Sequence, residues 1–142
     1  MQRTLLAVAA GVLVQIALLA AISGMPPHHP ARATTVLRVL AIGAVGGFVA
    51  GVVADTVPAR IGALAGAVAG LGVGAGFWWQ VLYGETVGIF HHVHYALATT
   101  PELIDVAPGS PHLIAAFVSA LVALAVTVGG FVGGRAAREW PK

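Results

Sequence analysis

Four stretches of this chain, residues 4–23, 36–53, 59–83 and 112–134, contain no acidic residue and only two basic ones, Arg38 and Arg60. Both arginines stand at the start of their stretch. A helix of ~20 apolar residues spans the hydrocarbon of a bilayer. Inside lipid every backbone polar group must be satisfied within the segment, which makes the helix the natural form of such a run. Only 8% of the 142 residues are charged, against about 25% in a soluble domain, too few to cover a water-facing surface. Four spans and short connections nearly exhaust the length. The sequence therefore predicts an all-α integral membrane four-helix bundle, one domain over residues 1–142.

Glycine recurs every fourth residue in the two middle runs, as Gly43, Gly47 and Gly51, then as Gly62, Gly66, Gly70 and Gly74. In water each would weaken its helix by roughly 1 kcal/mol relative to alanine. In lipid the missing side chains let two backbones approach closely. A connection of only a few residues forces the second and third spans to be antiparallel neighbours, and the ladders predict a central glycine-zipper hairpin made by this pair. Further glycines, Gly72 and Gly76 in the third span and Gly129, Gly130, Gly133 and Gly134 in the last, leave surplus smooth faces for another helix or subunit.

The connections carry their own signals. The basic start and apolar run at residues 4–23 also describe a signal peptide, but the run exceeds a usual signal core of 7–15 residues, so an uncleaved span is expected. Pro26, Pro27 and Pro30, beside His28 and His29, break the helix and mark a loop. Thr34 or Thr35 is a candidate cap for the second span. Asp55-Thr56-Val57-Pro58 reads as a tight turn, with Pro58 suited to the first turn of the third helix. Trp78, Trp79 and Tyr83 mark that helix's exit into the headgroup zone. Residues 84–111 form a less apolar outer segment. Within it 87–98 forms a short interfacial helix or an extension of the third span, and Thr100-Pro101-Glu102 and Ser110-Pro111 read as helix starts.

Charge sets the orientation. With four spans, Arg3, Arg60, Arg135, Arg138 and Lys142 share one side, while Arg32 and Arg38 share the other. Five against two places both termini in the cytoplasm of a multi-pass protein of the cell membrane. All six histidines, with Glu85, Glu102 and Asp105, then fall outside.

Imidazole is a common zinc and copper ligand, and on one helix His91 and His94 share a face. His28, His29 and His112 are the candidates to complete a divalent-metal site from neighbouring segments, and His92 shares a face with Glu85 if one helix carries both. The spacing matches no metalloprotease signature. The competing reading treats histidine as an amphipathic residue of the interface. A haem site is disfavoured because bundle haems take ligands from mid-helix positions.

No Asp, Glu, Lys, Arg or His lies well inside a span, which counts against an ion-coupled pump. Gln15, Ser119 and Thr127 are the central polar residues. Gln15 suits an interhelical hydrogen bond worth roughly 0.6–2 kcal/mol, or else a polar pore lining. No serine has a plausible triad and cysteine is absent, so no catalytic residue and no enzyme activity are expected. The pI near 9.7 rests on a net charge of +2, too little to argue for nucleic acid.

The stretches 42–51 (IGAVGGFVAG), 60–66 (RIGALAG) and 128–134 (VGGFVGG) resemble small four-helix membrane proteins of unknown function common in halophilic archaea. The resemblance implies a fold and a cell membrane, and supplies no activity or cofactor. Three functions follow as expectations. The first is a non-catalytic accessory or structural subunit of a membrane assembly, with membrane lipid and other subunits or further copies as partners. The second is a metal-binding protein using the outer histidines, and the third is a small oligomeric channel.

Overall fold

The computed structural model describes residues 2–23, 31–54, 56–85, 89–101, 105 and 111–140. Five helices account for nearly all of them: α1 (Gln2–Ser23), α2 (Arg32–Val53), α3 (Pro58–Tyr83), α4 (Ile89–Ala98) and α5 (Pro111–Ala137). Four of these, all except α4, are long and apolar enough to cross a membrane. At 1.5 Å per residue, α5 is about 40 Å long, more than the ~30 Å hydrocarbon layer. Only 17% to 44% of the most apolar stretch of each spanning helix is buried within the chain. The remaining apolar surface, including Leu5, Leu13, Leu37, Leu71 and Leu113, faces outward, as lipid-exposed helices require.

α2 and α3 are neighbours, as their short connection requires, with Gly62 of α3 close to the Gly47 carbonyl of α2. Each nevertheless makes far more extensive contact with α5. The physical reason is the paired glycines of α5. Gly129 and Gly133 lie against α2, while Gly130 and Gly134 lie against α3 and also meet Gly47 and Gly51 of α2, so one helix takes both ladders. The surplus glycines of the last span are thus used inside the chain. α1 packs chiefly against α2 and α3, with a small contact to α4.

Two clusters fill the core. Val39, Ile42, Ala69, Phe77, Val93, Val118, Val122 and Val126 form the first, in which Phe77 is fully buried. Ala7, Ala50, Ala54, Ile61 and Ala65 form the second, where the start of α1 meets the α2–α3 connection. Lipid is as apolar as leucine, so dispersion between close-packed surfaces rather than water exclusion holds such a bundle. Small side chains in the second cluster allow that closeness.

Helix ends depart from expectation in one place. α2 starts at Arg32, and its first carbonyl acceptor is Ala31, bonded by the amides of Thr34 (2.9 Å) and Thr35 (3.2 Å). Neither threonine is the cap. Thr35 sits a turn inside the helix and is buried. Pro58 occupies the first turn of α3 as expected, and α3 ends at Tyr83 with Gly84 as its C-cap. Val57 precedes Pro58 at φ 45°, a left-handed conformation that strains a β-branched residue. The outer helix is separate from α3, because α3 ends at Tyr83 and α4 starts at Ile89. Glu85 and His92 therefore do not share a helix. Asp55, Glu102 and Ser110, which read as turn or helix-start residues, lie outside the described residues.

Candidate functional site

The residues expected to carry helix packing are brought together on α5. A Cβ added at Gly43 would fall on the Val126 carbonyl, and one at Gly47 on the Gly130 carbonyl. At Gly51 it would stand 2.7 Å from the Ala137 methyl. On α3, a Cβ at Gly62 would meet the Gly130 carbonyl, at Gly66 the Val126 carbonyl (2.6 Å), at Gly70 that of Ala123 (2.7 Å) and at Gly74 that of Ser119 (2.7 Å). Reciprocally, Gly129 and Gly133 leave room for the carbonyls of Leu40 and Ala44. The three backbones touch, and no side chain larger than hydrogen fits at these positions.

Two further glycines act in the same way without belonging to a ladder. A Cβ at Gly11 would be 2.7 Å from the Gly46 carbonyl and 2.8 Å from the Ala50 methyl, which seats α1 on α2. Gly46 in turn makes space for the stem of Gln15. The signal for Gly11 was its being the only glycine of the first span, a weak one by itself. Gly76 faces the Phe90 ring of α4 at 3.5 Å. Gly72 has nothing within 4 Å.

Gln15 is fully buried, and its Nε2 donates to the Gly43 carbonyl over 3.3 Å. This ties α1 to α2 and takes the amide away from any pore. Its Oε1 has no hydrogen-bond partner among the described residues. Thr127 Oγ1 donates back to the Ala123 carbonyl at 2.8 Å, a bond within its own helix.

The described histidines lie toward the opposite end of the bundle from Arg135. From His112 to Arg135 is 23 residues along α5, a rise of about 35 Å. His112 is exposed and stands beside Trp78 and Tyr83, with ring centroids 6.3 and 6.4 Å away. Trp79 joins this group through Tyr83 at 5.0 Å. On α4, His92 and Val93 are buried while His94 and Tyr95 are exposed. The half-buried His91 has its ring centroid 6.5 Å from that of His92. So His91 and His94 differ in exposure although they are three apart, and His112 joins the aromatic group of α3. Among the described residues no three His, Asp or Glu side chains come together in a group able to hold a metal ion. His28 and His29 lie outside the described residues. No ionisable side chain of the four spanning helices is fully buried among the described residues; Arg38, half-buried, lies closest to that condition.

No family model, curated protein or solved structure matches this chain. The geometry of the bundle has to carry the functional reading unaided.

Proposed function

We propose that this chain is a non-catalytic integral membrane protein acting as an accessory or structural subunit of a larger membrane assembly. Gly72 carries this reading. It lies in the middle of α3, on the face shared with the exposed Val68, Leu71 and Trp79, and its missing side chain opens onto empty space. A helix-interior glycine weakens a helix by roughly 0.5–1 kcal/mol, and every other mid-span glycine offsets that with a close neighbour. A partner helix seated against Gly72 supplies the missing compensation.

In this reading the ladders of α2 and α3 form a glycine zipper on α5, giving a stiff platform. α4 lies in the interface and closes one end through Phe90 and Val93. The excess of arginine at the other end favours cytoplasmic termini in the cell membrane. The test is gentle extraction in mild detergent followed by native mass spectrometry. A stoichiometric partner or second copy is expected with the wild type, and its loss in Gly72→Leu with the thermal stability of the isolated chain not lowered. A lone monomer under the gentlest extraction rejects the role.

A further inference from the structure

Three arginines, one in α3, one in α5 and one in the turn after α5, stand around one pair of cavities at the end of the bundle where α3 begins. Arg60 lies in the first turn of α3, and Arg135 in the last turn of α5. Arg138 follows in a tight turn, its amide bonded to the Arg135 carbonyl at 3.1 Å. The same turn places Trp140 edge-on against Phe48, with ring centroids 5.5 Å apart, which anchors the chain after Arg138. Arg135, Arg138 and Glu139 line a cavity of about 460 Å³. Arg60, Arg138 and Val57 line an adjoining one of about 480 Å³. Ala59, Phe131 and Arg138 wall both.

We infer that these joined cavities form a site for a phosphate group at the membrane surface, carried by an anionic lipid. Arginines that merely reach outward from a span need no hollow between them. Here three exposed arginines line two adjoining hollows with one carboxylate among the described lining residues, a local surplus of two positive charges. Such like-charge crowding is relieved by an anion. The planar fork of arginine binds phosphate oxygens in pairs. The second cavity, with two arginines and no acid among its described lining residues, takes the phosphate. Phe131 sits one turn deeper along α5 than Arg135 and gives both cavities an apolar wall. That wall suits the glycerol and first methylenes of a lipid, and offers nothing to free inorganic phosphate.

The test uses the full chain in zwitterionic detergent, titrated with phosphatidylglycerol, phosphatidylcholine or inorganic phosphate and read by native mass spectrometry. One phosphatidylglycerol is expected to be retained about tenfold more tightly than phosphatidylcholine, and Arg60→Gln with Arg138→Gln together to remove that preference. Arg3→Gln serves as control, since Arg3 is a cation at the same end that lines neither cavity; its preference should stay within about twofold of wild type. Should the double variant not fold, Arg138→Gln alone, which lies beyond α5, is expected to weaken retention at least about threefold. Equal retention of the two lipids, or an equal loss in Arg3→Gln, overturns the site. Displacement of phosphatidylglycerol by millimolar inorganic phosphate overturns its assignment to a lipid.

Discussion

Replacing Gly47 and Gly72 with alanine, one at a time, makes the same chemical change in two opposite surroundings. At Gly47 the new methyl would overlap the Gly130 carbonyl and stand 2.5 Å from the Gly130 Cα. Carbon atoms in good contact keep about 3.5–4.0 Å apart, so α2 and α5 must separate locally by about 1 Å. Backbone supplies the obstacle, and no flexible side-chain end can swing aside. Overpacking of this kind destabilises by about 1–3 kcal/mol, with the neighbouring contacts of Gly43 and Gly51 weakened as the seam opens. Alanine's better helix propensity returns at most about 1 kcal/mol. The clash wins, and a net loss of about 1–2 kcal/mol is expected for Gly47→Ala. At Gly72 the methyl meets nothing, so only the propensity gain remains, about 0.5–1 kcal/mol in favour of the folded chain. The two variants should therefore differ by about 1.5–3 kcal/mol, or roughly 10- to 150-fold in the unfolding equilibrium. Reversible unfolding in mixed micelles, followed by far-UV circular dichroism, measures both. Equal stabilities for the two variants would show that the seam against α5 is not as tight as the backbone contacts require.

Gln15→Met keeps the length of the side chain while removing a 3.3 Å hydrogen bond and an unpartnered buried oxygen. The bond contributes about 0.6 kcal/mol and the orphaned oxygen costs about 1–3 kcal/mol, so the same unfolding assay should find the variant as stable as wild type or about 1 kcal/mol more stable. A loss above that size refutes this balance. Val57→Gly removes a left-handed strain of about 1–2 kcal/mol at the expense of up to about 1 kcal/mol of added backbone freedom. A rise in thermal midpoint is expected, and a fall would mean that the valine side chain makes a contact worth more than its strain. Zinc content after purification should be the same for wild type and for His91→Ala with His94→Ala; a stoichiometric ion lost in the double variant, by plasma emission, would restore these histidines as ligands.

The spans were legible because the physics that sets them is local. Pro58 and Tyr83 bounded α3 to within one residue, and charge-free length located the other three within a few positions. The partner of each glycine face was not legible. A short connection guarantees that α2 and α3 are adjacent, yet it says nothing about which surface wins the closest approach. The answer lay in Gly129, Gly130, Gly133 and Gly134, whose doubling makes two smooth stripes on one helix. The start of α2 misled for another reason. Thr34 and Thr35 have the chemistry of a cap, but Ala31 with its flanking backbone starts the helix earlier, and a threonine one turn in has no free amide to serve. Among the histidines, sequence spacing gave a shared face for His91 and His94, while the docking of Val93 into the core decides which side of α4 is covered.

The helix that both ladders grip is made after both of them. While α2 and α3 enter the membrane, seven notched positions have nothing to seat against, and more than 50 further residues must be synthesised before α5 is complete. At 5–20 residues per second that is a wait on the order of seconds, long compared with any helix motion in lipid. The half-built chain is consequently a set of loosely associated rods that locks only when α5 arrives, and a ribosome that stalls before α5 would leave behind a product with its grip surfaces open to whatever helix passes by.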